Sequence, residues 1–328
     1  MSSEVFSAAG VAAPRGAAAA VLLLLAFVML ASGARAAPPP PGPVPVFSGV
    51  RAMSWLRAQC AFGPRDPGSP GQLRLRRLIS AHADSLGLPC APVCFTLDDP
   101  YGDGRLEVCN YVVSAGPPGG QRLWIAAHYD TRPRSDRDPD PRLAARPLIG
   151  ANDGASGVAV LLHLAELLAA HPPARGVDLL FLDAEDYGRE GDPANYCLGA
   201  AHLAAHWRDF GSPLAGGSPE GLVLLDMVGK RDLAVPMEGY SLRQAGTWTR
   251  AIFARAAALG LDAFVPEAGP PVWDDHVPFL RAGIPAVDLI DFDYPQWHTS
   301  RDTPDACAPA SLEQVGRLVT DLCYRPGS

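Results

Sequence analysis

Residues Val177 to Gly188 read VDLLFLDAEDYG, an apolar run that ends in three carboxylates, Asp183, Glu185 and Asp186. Near-continuous apolar runs of this length are the pattern of strands covered on both faces. Acids at the end of a buried strand lose hydration and need a partner, a proton or a metal. Comparable runs are LWIAAHYD from Leu123, GLVLLDMVG from Gly221 and IPAVDLIDF from Ile284. Between the first two lies GASGVAVLLHLAELLAAHPP, apolar at helical spacing and stopped by Pro172 and Pro173. Helical patterns also cover VRAMSWLRAQCAF, LRLRRLISAHADSLG, TWTRAIFARAAALG and SLEQVGRLVTDLC, the last with Ser311 and Gln314 as a capping-box start. This alternation predicts an α/β fold: one globular domain over 49–328, with a central, mostly parallel or mixed twisted sheet flanked by helices on both faces. Ligand sites in such folds gather beyond the carboxyl ends of the strands, where these acids lie.

The 328-residue chain is 48% hydrophobic, carries a formal net charge of −8 and has no long run of Lys or Arg. That balance argues against nucleic acid or an anionic membrane as partner. Arg15 precedes the apolar stretch AAAAVLLLLAFVMLA, which is followed by the small-x-small site Ala34-Arg35-Ala36. These are the parts of a secretory signal peptide over 1–36, cleaved after Ala36, and they predict an exported protein. The stretch is shorter than the roughly 20 residues that span a bilayer comfortably; left uncleaved, it would be an anchor and the one membrane attachment. A Pro-rich spacer over 37–48 follows. Seven cysteines with no CxxC pair argue against a Cys-rich structural zinc site, and Cys90 with Cys94 offers one short disulfide loop.

Other segments deliver the same kind of side chain as DAED. HYD supplies His128 and Asp130, GANDGASG supplies Asp153, and LLDMVG supplies Asp226. WDDH and YPQWHT add Asp274, Asp275, His276 and His298. A lone acid at a strand end is commonly a cap or turn residue, but caps do not explain so many in one domain. Carboxylates with imidazole suit zinc, and a catalytic zinc takes three protein ligands and leaves one position open. Two acids and one His would satisfy it, leaving a further carboxylate to act as a base. Neighbours on a regular strand point opposite ways, so Glu185 and Asp186 are expected to split these tasks.

The segments GSPG (68–71), AAHYDTRP, GANDGASG, DAEDYG, CLGAAHLA, LLDMVG, DDHVPFLRAGIP and YPQWHTSRDTPD occur in the order seen in glutaminyl cyclases. The chain from Val50 onward resembles that family, which shares its fold with the two-metal zinc aminopeptidases. The resemblance implies one zinc per chain, on Asp153, Asp186 and His298, and Glu185 as the proton-shuttling base. It implies that Asp226 and Asp274 form a hydrogen-bonded acid network with Glu185, and that Trp297 lines the substrate pocket. Tyr294, near a second family aromatic in a loop one residue shorter, and Trp273, where a polar residue is common, are the further substrate-binding residues expected. Asp288 replaces a His found in some members. The implied substrates are peptides or proteins with a free N-terminal Gln, cyclised to pyroglutamate with release of ammonia.

A two-zinc aminopeptidase is the alternative, because His128, Asp153, Asp186, Asp226 and His298 also suit its five ligand positions. Against it, those enzymes usually carry Glu-Glu in place of Glu185-Asp186, have one acid before the residue matching His276, and seldom place Trp before the last ligand. A non-catalytic peptide-binding descendant would require a damaged metal set, and no expected ligand is missing. His163, His171, His202 and His206 read as packing or solvated helix residues, and RPRSDRDPDPRLAARP as an exposed loop.

Overall fold

In the computed structural model, which describes residues 10, 43–209 and 216–325, the chain orders as α1 (Gly49–Cys60), α2 (Pro70–Ser85), β1 (Cys90–Asp98), β2 (Arg105–Ala115), β3 (Gln121–His128), α3 (Ala155–Ala170), β4 (Gly176–Leu182), α4 (Leu198–His206), β5 (Ser218–Asp226), β6 (Val235–Met237), α5 (Gly239–Gln244), α6 (Gly246–Ala258), β7 (Phe264–Ala268), α7 (His276–Arg281), β8 (Ala286–Ile290) and α8 (Pro309–Tyr324). The described residues from 43 onward belong to one compact unit. The expected signal segment 1–36, Gly10 apart, lies outside the described residues. No helix of the described residues is long and apolar enough to cross a membrane.

The main sheet has the order β1-β2-β4-β3-β5-β8. β4, β3, β5 and β8 run parallel, while β1 and β2 are antiparallel additions at one side. The mixed sheet is therefore as expected. Its faces alternate along each parallel strand. Val177, Leu179 and Phe181 join one core with Met53, Ile79 and Val160 of the helices, and Leu180 and Leu182 join another with Leu203 and Phe279. A helix layer on each face explains why β4 is buried at every position. Gly157 lets α3 approach closely, since a Cβ there would lie 2.1 Å from the Leu225 carbonyl oxygen.

The β1–β2 hairpin and the short parallel pair β6–β7 were not legible as strands in the sequence. In the hairpin Cys94 faces Cys109 directly and is bonded to it. Cys90 and Cys94 instead lie four residues apart on one strand, about 13 Å at the usual rise per residue, beyond disulfide reach. Cys60, Cys90, Cys197, Cys307 and Cys323 are free thiols. The capping box at Ser311 is not formed. α8 starts at Pro309, the Ser311 hydroxyl donates to the Lys230 carbonyl, and Gln314 accepts from Ala263 N–H. The spacer also ends earlier than expected, because Phe47 packs in the core against Gly316.

An unforeseen buried ion pair ties three strands together. Arg122 on β3 donates to both carboxylate oxygens of Asp178 on β4 at 2.7 and 2.8 Å. Ser114 of β2 and Trp124 complete the shell at 2.6 and 3.1 Å.

Candidate active site

Parallel strands place their carboxyl ends on one edge, and His128 and Asp226 terminate β3 and β5 there. β4 stops at Leu182, and Ala184 then adopts a left-handed conformation with φ 54°. This turn separates the acids of DAED. Asp183 is directed into the fold, where Gln72, Arg76 and the Cys109 N–H donate to it at 2.7, 2.8 and 2.8 Å. Glu185 and Asp186 both reach one cavity, which a regular strand could not have achieved. Asp130 fixes this arrangement by accepting from the N–H groups of Glu185 and Asp186 at 3.0 and 3.2 Å.

Asp153 arrives on the Gly-rich turn before α3. Asp302 holds that turn by accepting from Asn152 and Asp153 N–H at 2.8 and 3.1 Å. His298 enters from the loop after β8, in a left-handed conformation with φ 53°, with Trp297 stacked on its ring at 3.9 Å. Ala184, Cys197, Met227 and His298 are the non-glycine residues with positive φ among those described, and all four belong to this region. Such conformations are found where the surrounding structure over-determines them.

The cavity measures about 490 Å³ and is lined by Asp153, Glu185, Asp186, Asp226, Asp274 and His298 at its polar end. Trp273, Phe292 and Trp297 form apolar walls. Tyr294 does not line it. The ring is 5% exposed and its hydroxyl donates to Asp302 at 2.7 Å, so Phe292 supplies the exposed aromatic surface instead.

The metal-ligand expectation meets a geometric test. His298 Nε2 lies 3.5 Å from Asp153 Oδ2 and 3.4 Å from Asp186 Oδ2. Asp186 Oδ2 is buried and has no hydrogen-bond partner among the described residues. Three converging N and O donors, one of them orphaned, fit a borderline divalent cation such as zinc. His128, Asp153 and Asp226 form a second cluster, with His128 Nε2 at 3.3 Å from Asp153 Oδ1 and 3.1 Å from Asp226 Oδ1.

The two acids that end DAED differ sharply in surroundings. Burial would raise the Asp186 carboxyl, but His298 and Arg132 outweigh it and hold it down at about 2. Glu185 is pushed well above the ordinary carboxylate range by burial and then by its neighbour Asp186. Among the described residues its carboxylate accepts one hydrogen bond, from the Cys197 thiol at 3.7 Å. Asp274 is likewise raised well, by burial and then by Asp226 and Asp275. Burial raises Asp288 as well, aided by Asp274.

Arg132 was missed because it opens a segment read as an exposed loop. Most of 132–147 is indeed irregular and partly exposed, yet Arg132 is buried and donates to Asp186 Oδ1 at 2.7 Å. Asp302 was also unrecognised, although it lies inside the HTSRDTPD segment.

Comparison with known proteins agrees with this geometry. Residues 110–323 match Peptidase family M28. A mouse glutaminyl-peptide cyclotransferase-like protein is 31% identical over 280 residues, covering 78% of this chain and 70% of the relative. The glutaminyl cyclase of Bacteroides thetaiotaomicron, solved with N-acetylhistamine, superposes with a TM-score of 0.81 at 31% identity, covering 86% of this chain and 99% of that one. A structure described as a Zn-dependent exopeptidase from Parabacteroides distasonis gives the same TM-score and identity over 86% and 100% of the two chains. The chain therefore belongs to peptidase family M28 and, within that zinc-aminopeptidase-like fold, to the glutaminyl-peptide cyclotransferases, enzymes of acyl transfer.

Proposed function

We propose that the protein cyclises the N-terminal glutamine of peptides to pyroglutamate, with Glu185 moving the proton. The observation that carries this reading is the contrast between Glu185 and Asp186. Asp186 is bonded to a guanidinium and faces an imidazole, so it keeps its charge and suits a ligand. Glu185 lines the same cavity with no ion pair among the described residues, so it can take up and release a proton. One zinc held by Asp153, Asp186 and His298 would polarise the substrate γ-carbonyl.

The remaining chemistry falls to side chains. The substrate α-amine attacks its own γ-carbonyl carbon, forming the ring C–N bond. Glu185 accepts a proton from that amine and returns it to the γ-nitrogen, whose bond to carbon breaks as ammonia leaves. Asp274, raised by burial and by Asp226, would in its protonated form donate a hydrogen bond to the leaving amide. Trp297, Trp273 and Phe292 enclose the small side chain and limit water, which would otherwise compete as nucleophile. Because the nucleophile is already part of the substrate, orientation contributes much of the rate.

Mass spectrometry of a Gln-initiated peptide after incubation tests this reading: loss of one ammonia is expected, with blocked Edman chemistry. The second reading, a two-metal aminopeptidase, is favoured by the His128–Asp153–Asp226 cluster. Release of free N-terminal amino acid and nearer two zinc ions per chain would establish it. Export rests on the N-terminal segment, and a mature protein beginning at Ala37 is the expected product in a secreting host.

A further inference from the structure

We propose that a second cavity beside the candidate active site receives cationic side chains that follow the N-terminal residue, so that basic peptides are preferred substrates. The identity of that first residue as glutamine rests on the cyclase reading; the charge preference of the following residues does not. The second cavity measures about 510 Å³ and shares Pro270, Val272, Ile290 and Phe292 with the first. These side chains line both, and Phe292, 39% exposed, forms part of their common lip. A peptide whose first side chain occupies the acid end of the first cavity can leave over this lip. At about 3.4 Å per extended residue, its second and third positions fall within reach of the neighbouring cavity.

The lining there is acidic. Glu267 on β7 and Asp293 in the loop after β8 are exposed, and neither carboxylate has a hydrogen-bond or ion-pair partner among the described residues. Lys230, the cation of this lining, is already engaged, donating to Asp291 Oδ2 at 3.0 Å and to the Asp293 carbonyl at 2.6 Å. Arg137 lies elsewhere, over the Trp297 ring at 5.5 Å, and lines neither cavity. Two unpaired carboxylates therefore face a Lys or Arg side chain of the substrate and repel an acidic one. Exposed pairs contribute modestly and are screened, so the discrimination expected is about three- to tenfold and weakens with salt.

The test uses amides of Gln-Lys-Lys-Ala, Gln-Ala-Ala-Ala and Gln-Glu-Glu-Ala. Their dissociation constants are measured by calorimetry on full-length Glu185→Gln protein, which separates binding from turnover. The Lys peptide should bind about three- to tenfold more tightly than the Glu peptide, and adding Glu267→Gln and Asp293→Asn should bring that ratio toward one. Equal constants, or a ratio that survives the added substitutions, would overturn the proposal. Ammonia release from Gln-Ala-Ala-Ala by the unsubstituted protein judges the cyclase reading by itself. A charge bias in binding without any ammonia would uphold the subsite and remove cyclisation.

Discussion

Arg132 Nη1 lies 2.7 Å from Asp186 Oδ1, so one oxygen of a candidate ligand is committed to a buried guanidinium and the other is left facing His298. Asp136 extends the link. It accepts from Arg132 at 2.8 and 2.6 Å, and its Oδ1 lies 3.7 Å from His298 Nδ1. Two candidate ligands are thereby oriented through one Arg–Asp pair, as carboxylates behind metal-bound histidines commonly do.

Arg132→Lys should keep a positive charge but lose the fork that holds Asp186 and Asp136 together. Zinc affinity, measured by competition with a chelator, is expected to fall about 10- to 100-fold while circular dichroism stays unchanged. Unaltered affinity would mean that Asp186 is oriented by its backbone alone.

Glu185→Gln should lower turnover of a Gln-peptide by about 10²- to 10⁴-fold, the range for loss of a general base. Zinc content should stay as in the parent protein. Loss of metal instead would show that the tasks of Glu185 and Asp186 are exchanged.

Asp178→Ala would leave Arg122 buried between β3 and β4 without its carboxylate. Breaking a fully buried pair from one side costs about 3–5 kcal/mol, to be read from urea unfolding. An unfolding midpoint close to the parent value would show that the carbonyls around Arg122 suffice.

Glu238 caps α5 and lies 3.0 Å from His276. Burial would raise its carboxyl, but His276 and the N–H groups of Ser241 and Tyr240 bring it down to about 2 from the ordinary 4.5. Because the folded value is the lower one, its stabilisation is fully present above pH 4.5 and is lost as pH falls toward 2. Glu238→Gln should be less stable by about 1–3 kcal/mol at pH 7, with the gap closing in acid. A gap independent of pH across unfolding curves would assign the effect to packing.

Much of this protein was legible from one dimension. The apolar runs that became β3, β4, β5 and β8 marked strands covered twice, because burial on both faces removes the usual alternation. Acids at their ends marked the site edge, because parallel strands share one carboxyl end. The hairpin β1–β2 was harder to read, since β1 buries only Val93 fully and carries little apolar signal.

What the tertiary structure decided was direction. The left-handed turn at Ala184 sends Asp183 to Gln72 and Arg76 and brings Glu185 and Asp186 into one cavity. Period-two alternation could not have indicated that. Tyr294 is kept out of the cavity lining because its hydroxyl satisfies the buried Asp302, and Phe292 lines the cavity. Arg132 looked solvated among alternating charges, yet desolvation beside Asp186 and Asp136 makes it part of the site. Residue type and order determined which chemistry is available; the long-range contacts that desolvate and aim each group determined which carboxylate keeps its charge and which is left to carry a proton.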